Sequence, residues 1–283
     1  MKYNKILAHF LLLTLLVFAA QPSNADDIWH ESGQSKLRLL TAGQETRDEG
    51  LVYTSLLEME FAENWYSYWR FPGDAGIALS VTPAENSGIE AADIHWPMPL
   101  RHEAYDMVSY IYEHKTAFPI DFILKDDFAD NENYTGQVKV FYMVCKQVCV
   151  PEEFTLRLDV FDKDDKALSR NQAMLRLAER HIPHDGDISG LAVKFAVVSK
   201  DSLVLAVRAS AGFENTDVFV DADNAVIMTA VPEIEMQEGS DTDAMIKIKA
   251  PEGVDDLNAA LADKSIHIVL QNRNDVIQRD FSF

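Results

Sequence analysis

Cysteine is scarce in this chain. Its 283 residues hold two, Cys145 and Cys149, which excludes a disulfide-rich scaffold and a four-sulfur zinc site. Positive charge is scarce too: 25 Lys and Arg stand against 46 Asp and Glu, a net charge of −21. So acidic a surface excludes nucleic-acid binding through phosphates and is repelled by an anionic membrane; solubility is its plain meaning, a basic protein partner the other. After residue 20 no apolar run is long enough to span a bilayer. No period of 20–50 residues signals a repeat array. From residue 188 onward there is no cysteine, no dense His or carboxylate cluster and no Gly-rich loop.

The first residues read as an export signal. Lys2 and Lys5 precede an almost unbroken apolar run from Ile6 to Ala20, Pro22 ends it, and Ser23-Asn24-Ala25 supplies the small residues a signal peptidase reads. Cleavage is expected after Ala25. The alternative, a membrane anchor, suffers from the shortness of the run. Loss of 1–25 removes two lysines and no acid, taking the charge to −23.

The remainder reads as all-β. Runs at Leu51–Met59, Ile77–Val81, Thr116–Leu124, Val138–Val144 and Phe154–Phe161 are short, rich in β-branched and aromatic residues, and separated by Pro72-Gly73-Asp74, Asn86-Ser87-Gly88, Pro97, Pro99 and Asp130-Asn131. That pattern predicts a β-sandwich over 26–162. Asp162-Lys163-Asp164-Asp165 is a charged break, after which apolar residues recur at helical spacing until Pro183. A connecting helix is expected over 163–184, with Ser169 and Asn171 as capping residues. Strand runs return at 191–198, 203–209, 217–221, 226–229, 244–249, 266–270 and 276–283, with a short helix at 257–261. They predict a second, smaller β-sandwich domain over 185–283 with a structural or docking role.

The chemistry concentrates in Val144-Cys145-Lys146-Gln147-Val148-Cys149-Val150-Pro151. Strand-like runs flank the pair, and Tyr142, Val144, Val148, Val150 and Pro151 argue against a helix. If 146–148 turn tightly, the cysteines oppose each other about 4.5–5.5 Å apart at Cα, within disulfide reach. Closing so short a loop stabilises a fold by only roughly 2 kcal/mol, and a large apolar core needs no such staple. Lys146 favours the thiolate, the attacking species. Three readings stay open from the residues: redox exchange, a structural staple, and metal binding, with Cys145 and Cys149 as soft Cu(I) ligands helped by Met98, Met107 or Met143. His95, His102 and His114 are scattered rather than paired at ligand spacing. The aromatic stretch from Trp65 to Phe71 reads as a core strand before a turn, or as a shield for the pair. Asn133-Tyr134-Thr135 matches a glycosylation sequon, with chance the plainer reading.

Four pieces, in order and spacing, resemble the N-terminal periplasmic domain of the DsbD disulfide-reductase family, closest to its ScsB-like branch, which is associated with copper tolerance. They are Tyr68-Trp69-Arg70-Phe71-Pro72-Gly73-Asp74-Ala75-Gly76, Trp96-Pro97-Met98-Pro99-Leu100-Arg101, Tyr110-Ile111-Tyr112-Glu113 and Val144 to Glu152. The resemblance covers about 28–162 well and the second domain weakly. It implies an immunoglobulin-like sandwich and a periplasmic location. It also implies a Cys145–Cys149 pair that exchanges electrons with periplasmic thioredoxin-fold proteins, with no cofactor unless copper is bound. An aromatic cap is expected over the pair, with Tyr105, Tyr110 and Trp69 as shielding candidates. Ile111 stands where the branch has Gly, which implies a differently shaped cap loop. The family's membrane and terminal thioredoxin domains lie outside these 283 residues, so the expected electron donor is a membrane-embedded protein supplied by another chain.

Overall fold

The computed structural model describes residues 28–129, 135–159, 165–223 and 225–283. The export signal, the Asp130-Asn131 turn, the sequon's Asn133-Tyr134 and the break from Asp162 to Asp164 lie outside the described residues.

In chain order the first half supplies β1 (His30–Glu31), β2 (Ser35–Arg47), β3 (Gly50–Phe61), β4 (Tyr66–Gly73), β5 (Ser80–Pro83), β6 (Ile89–Ile94), β7 (Leu100–Ala104), β8 (Met107–Glu113), β9 (Lys115–Leu124), the single turn α1 (Asp126–Ala129), β10 (Thr135–Cys145) and β11 (Cys149–Asp159). One sheet runs β1-β2-β3-β9-β6. The other runs β11-β10-β4-β8-β7, with β5 attached to β10. Alternation explains the layering: in β10, Val138, Val140, Tyr142 and Val144 are buried while Gln137 and Lys139 face solvent. The inward faces of both sheets meet around Leu57, Trp69, Tyr110, Phe118, Phe122 and Tyr142.

The second half begins with α2 (Asp165–Glu179), followed by β12 (His184–Asp185), β13 (Leu191–Val198), β14 (Ser202–Ala209), β15 (Thr216–Asp221), β16 (Glu233–Met236), β17 (Asp243–Lys249), α3 (Leu257–Ala260), β18 (Ser265–Asn272) and β19 (Asp275–Ser282). Sheets β12-β19-β18-β15 and β13-β14-β17-β16 enclose an aliphatic core of Leu205, Val207, Ile246, Ile248, Ile268 and Ile277. The chain is thus an all-β protein of two sandwiches with a helix between them.

Three expectations change. Ser169 and Asn171 lie inside α2 rather than at its start. Asn171 is fully buried, and its Nδ2 donates to the Thr41 carbonyl at 2.9 Å. With Met174, Leu175 and Ala178 packed on Leu40 and Leu56, α2 is docked on the outer face of the first sheet. The run from Ile77 becomes strand only at Ser80. Residues 226–229 pair with no strand, although Val226 and Met228 are buried; side chains of the first sandwich bond two of their carbonyls instead. Tyr110 Oη donates to Met228 at 3.1 Å, and Arg101 donates to Thr229.

Those bonds belong to an interface between the sandwiches. Arg101 also grips both carboxylate oxygens of Asp217, at 3.0 and 2.8 Å, and the Val218 carbonyl at 3.0 Å. Along β15 the side chains alternate: Val218 and Val220 face their own core, while Phe219 enters the first one. Its ring meets Tyr110 at 5.0 Å and Trp69 at 6.2 Å, both edge-on. Two of the strands braced this way, β4 and β8, carry residues that pack on Cys145.

Candidate functional site

Strands β10 and β11 form a hairpin closed by Lys146-Gln147-Val148, with every residue from Thr135 to Cys145 opposed to one from Cys149 to Asp159. Cys145 and Cys149 face each other as its last pair. They are joined, with 2.01 Å between sulfurs and 4.1 Å between Cα atoms. Their surroundings differ sharply. Cys145 is 0% exposed, under Tyr68 and Ile111 with Tyr66 and Met143 at the margin. Cys149 is exposed, next to a solvent-facing Val148.

The Tyr68 hydroxyl lies 3.7 Å from the open sulfur, Cys149 Sγ. A disulfide sulfur carries no proton, so the hydroxyl is the donor. Burial, with Tyr66 adding to it, pushes the Tyr68 phenol well above its usual range, so the hydroxyl keeps its proton. The turn after β4 holds the ring. Gly76 has φ +127°, and a Cβ there would lie 2.3 Å from Tyr68 Cδ1, so only glycine lets the backbone pass over the ring. The Pro72–Gly76 stretch is therefore the seat of Tyr68. Tyr66 packs edge-on to Tyr68 at 5.7 Å and against His102 at 4.8 Å. The Lys146 ammonium donates to the Glu63 carbonyl at 3.4 Å.

The three shielding candidates are not brought to the sulfurs. Trp69 and Tyr110 lie in the sandwich interior against Phe219, because neighbouring residues in a strand face opposite ways. Tyr68 and Ile111, one position along from each, are the residues that cover Cys145. Tyr105 sits at the tip of the β7–β8 hairpin in left-handed backbone, 76% exposed. Glu113 at the other end of β8 pairs with Tyr66, which pairs with Cys145. Eight residues of strand put Tyr105 about 25 Å from that level. It borders instead a cleft of about 810 Å³ lined also by Val231 and Glu252. Tyr66 and Tyr68 carried a readable signal that sequence reasoning passed over: they alternate, so they share a face that Trp69 cannot share.

The candidate copper ligands also separate. Met143 packs beside Cys145, but Met98 lines a groove with Met174 and His181, and Met107 is exposed on β8. His95 lies 3.2 Å from Asp121, His102 packs on Tyr66, and His114 is exposed beside Glu113. Among the described residues, no group of three or more His, Cys, Asp and Glu is gathered for a metal.

The hairpin thus ends in a half-open disulfide at one end of a β-sandwich, and comparison with known proteins bears on the part of the chain that carries it. Residues 43–159 match the family described as thiol:disulfide interchange protein DsbD, N-terminal, and are a DsbD N-terminal-like domain. Residues 181–282 match a domain of unknown function, DUF8393. The crystal structure of the N-terminal periplasmic domain of ScsB from Proteus mirabilis superposes with a TM-score of 0.69 at 18% identity, covering 92% of this chain and 99% of that one. Both sandwiches therefore occur together in a known fold. A marsupial T cell receptor aligns at a TM-score of 0.23 with 12% identity, over 89% of this chain and 98% of that one, and carries no weight. No curated protein matches the sequence. Among the described residues, no helix is long and apolar enough to cross a membrane.

Proposed function

We propose that this protein is a periplasmic thiol:disulfide interchange protein whose Cys145–Cys149 pair passes two electrons to or from thioredoxin-fold partners, and that Cys149 is the sulfur the partner meets. The observation that supports it is the unequal burial of two bonded sulfurs, one open and one covered. In the reduced protein the Cys149 thiolate attacks one sulfur of a partner disulfide, and the partner's other sulfur leaves as a thiolate and takes a proton. Cys145, deprotonated, then attacks Cys149 Sγ and releases the partner's first sulfur as a second thiol. The pair ends as a disulfide and the partner as a dithiol. The Tyr68 hydroxyl, already directed at Cys149, donates a hydrogen bond to the thiolate and favours it over the thiol. The reaction draws on no cofactor. A membrane-embedded protein on another chain restores the dithiol.

Single-cysteine variants test this. Cys145→Ser is expected to capture thioredoxin-fold proteins as mixed disulfides through Cys149, whereas Cys149→Ser captures none, because Cys145 has no path to a visitor. Equal capture by both, or by neither, removes the proposal.

The position of Met143 beside Cys145 favours one second reading, a Cu(I) module without turnover, in which two thiolates and a thioether hold the ion. Tight Cu(I) binding lost in Cys145→Ser and weakened in Met143→Leu, with negligible thiol exchange, would select it. A purely structural disulfide predicts instead a large fall in melting temperature on reduction.

A further inference from the structure

The hairpin that carries the disulfide has a second asymmetry, in its backbone. In an antiparallel pair, opposed residues alternate between those that exchange hydrogen bonds, about 5.5 Å apart at Cα, and those that do not, about 4.5 Å apart. Cys145 and Cys149 are 4.1 Å apart, so they form a non-hydrogen-bonded pair. Three observations fix the same phase. Lys146 N donates to Val148 O at 3.1 Å, making the next pair a bonded one. Pro151, opposite Met143, has no N–H to give, which only a non-bonded position tolerates. Gln137 turns its carbonyl away from β11, to accept from Ala84 N at 2.9 Å.

It follows that Cys149, Pro151, Glu153, Thr155 and Arg157 point their backbone groups away from β10. Strand β11 is the last in its sheet, and no strand pairs with its outer edge among the described residues. The open edge thus presents N–H and C=O groups at Cys149, Glu153 and Thr155, and begins at the sulfur that is open to solvent. An exposed edge this long is an aggregation hazard. Here Pro151, Glu152 and Glu153 break its appeal for indiscriminate pairing while leaving the Cys149, Glu153 and Thr155 amides in place.

We propose that the free edge of β11 is a docking rail: the redox partner lays an extended segment, next to its reactive cysteine, along Cys149 to Thr155 by backbone hydrogen bonds. This rests on the exchange reading above and specifies its partner surface. The occupant is set by what the edge lacks. Regularly spaced backbone donors and acceptors in one plane are satisfied by another extended backbone, and continuity with Cys149 requires that backbone to belong to the protein whose sulfur is exchanged. Small thiols make no such bonds.

Proline substitution separates the two. Glu153→Pro removes one outward N–H and leaves the β10 ladder whole, as Pro151 already does. Thr155→Pro is the second variant should the first unfold. Exchange with thioredoxin, the protein probe, is expected to slow at least tenfold. Exchange with dithiothreitol is expected to stay within twofold of wild type. Amide hydrogen exchange of Glu153 and Thr155 should also slow when Cys145→Ser is trapped with thioredoxin. Unchanged thioredoxin rates, equal slowing with both probes, or unprotected amides in the trapped complex each overturn the rail while leaving exchange itself intact. A wild type that reacts with neither probe overturns the exchange reading, and the rail with it.

Discussion

The core of the first sandwich is built on Tyr53, Trp69, Phe71, Tyr110, Tyr112, Phe118, Phe122 and Tyr142. The fully buried members of the second core are Leu, Val, Ile, Ala and Met alone. The architecture is shared and the filling is not. Aliphatic side chains fill volume without direction, whereas tyrosines bring a hydroxyl that must find a partner when buried. In the first sandwich those hydroxyls tie distant segments: Tyr142 to Ser35 at 2.7 Å, Tyr112 to the Pro97 carbonyl at 2.6 Å, Tyr110 to Met228. Tyr68, on the outer face, directs its hydroxyl at the disulfide. The sandwich with the reactive pair is thus the one whose core holds hydrogen-bonded tyrosines, and the other lends it Phe219 as a brace.

The sharpest way to break this comparison is to remove the brace. Phe219→Ala should cost about 3–4 kcal/mol, the usual toll for deleting a buried aromatic ring. Denaturant unfolding should then show two transitions where the wild type shows one. A single transition with a loss below about 1 kcal/mol would mean that the sandwiches do not lean on each other.

A smaller effect tests direction against volume. Tyr68→Phe keeps the ring and loses the donor. The reduced protein should then form the Cys149 thiolate less readily, read from thiolate absorbance against pH. Coincident titrations would show the hydroxyl to be a bystander.

The smallest concerns the outer face of the first sheet, near the end of α2. The hydrogen bond that the His95 imidazole donates to Asp121 raises the imidazole above its usual value. Burial opposes ionisation of Asp121, but bonds from His95, Thr54 and Arg47 outweigh it and hold the carboxyl well below its usual range. Because the folded His95 value lies above the unfolded one, its contribution is complete below about pH 6.5 and fades as pH rises through the folded value. The pair is partly exposed, with 41% of the His95 side chain open to solvent. His95→Gln should therefore cost only about 0.5 kcal/mol near pH 5 and nothing near pH 9, by melting at both. A pH-independent loss would assign His95 a packing role.

Much of the architecture was legible in particular residues. Alternation gave the strands at 51–59, 116–124, 138–144 and most of the second sandwich, because a half-buried strand writes its period into the chain. It failed at 77–79 and 226–229, where apolar residues lie without ladders, and at Ser169 and Asn171, where a buried amide serves a neighbouring sheet rather than a helix end. Recognition of four motifs carried the family and the pair, but their side-chain roles were misread. Trp69 and Tyr110 are conspicuous, yet they point inward. The shield is Tyr68 and Ile111, one step away on the same strands.

What the sequence determined by itself is local: two cysteines with three residues between them, set between strand-forming runs, must oppose each other when the chain turns back, since pairing register follows from the turn. Only the tertiary structure decided which sulfur is open, which hydroxyl reaches it and which edge of the hairpin is free. Those facts depend on β4 and β8, which come from residues some 30–80 positions away, and no period within the hairpin encodes which neighbour will cover each face.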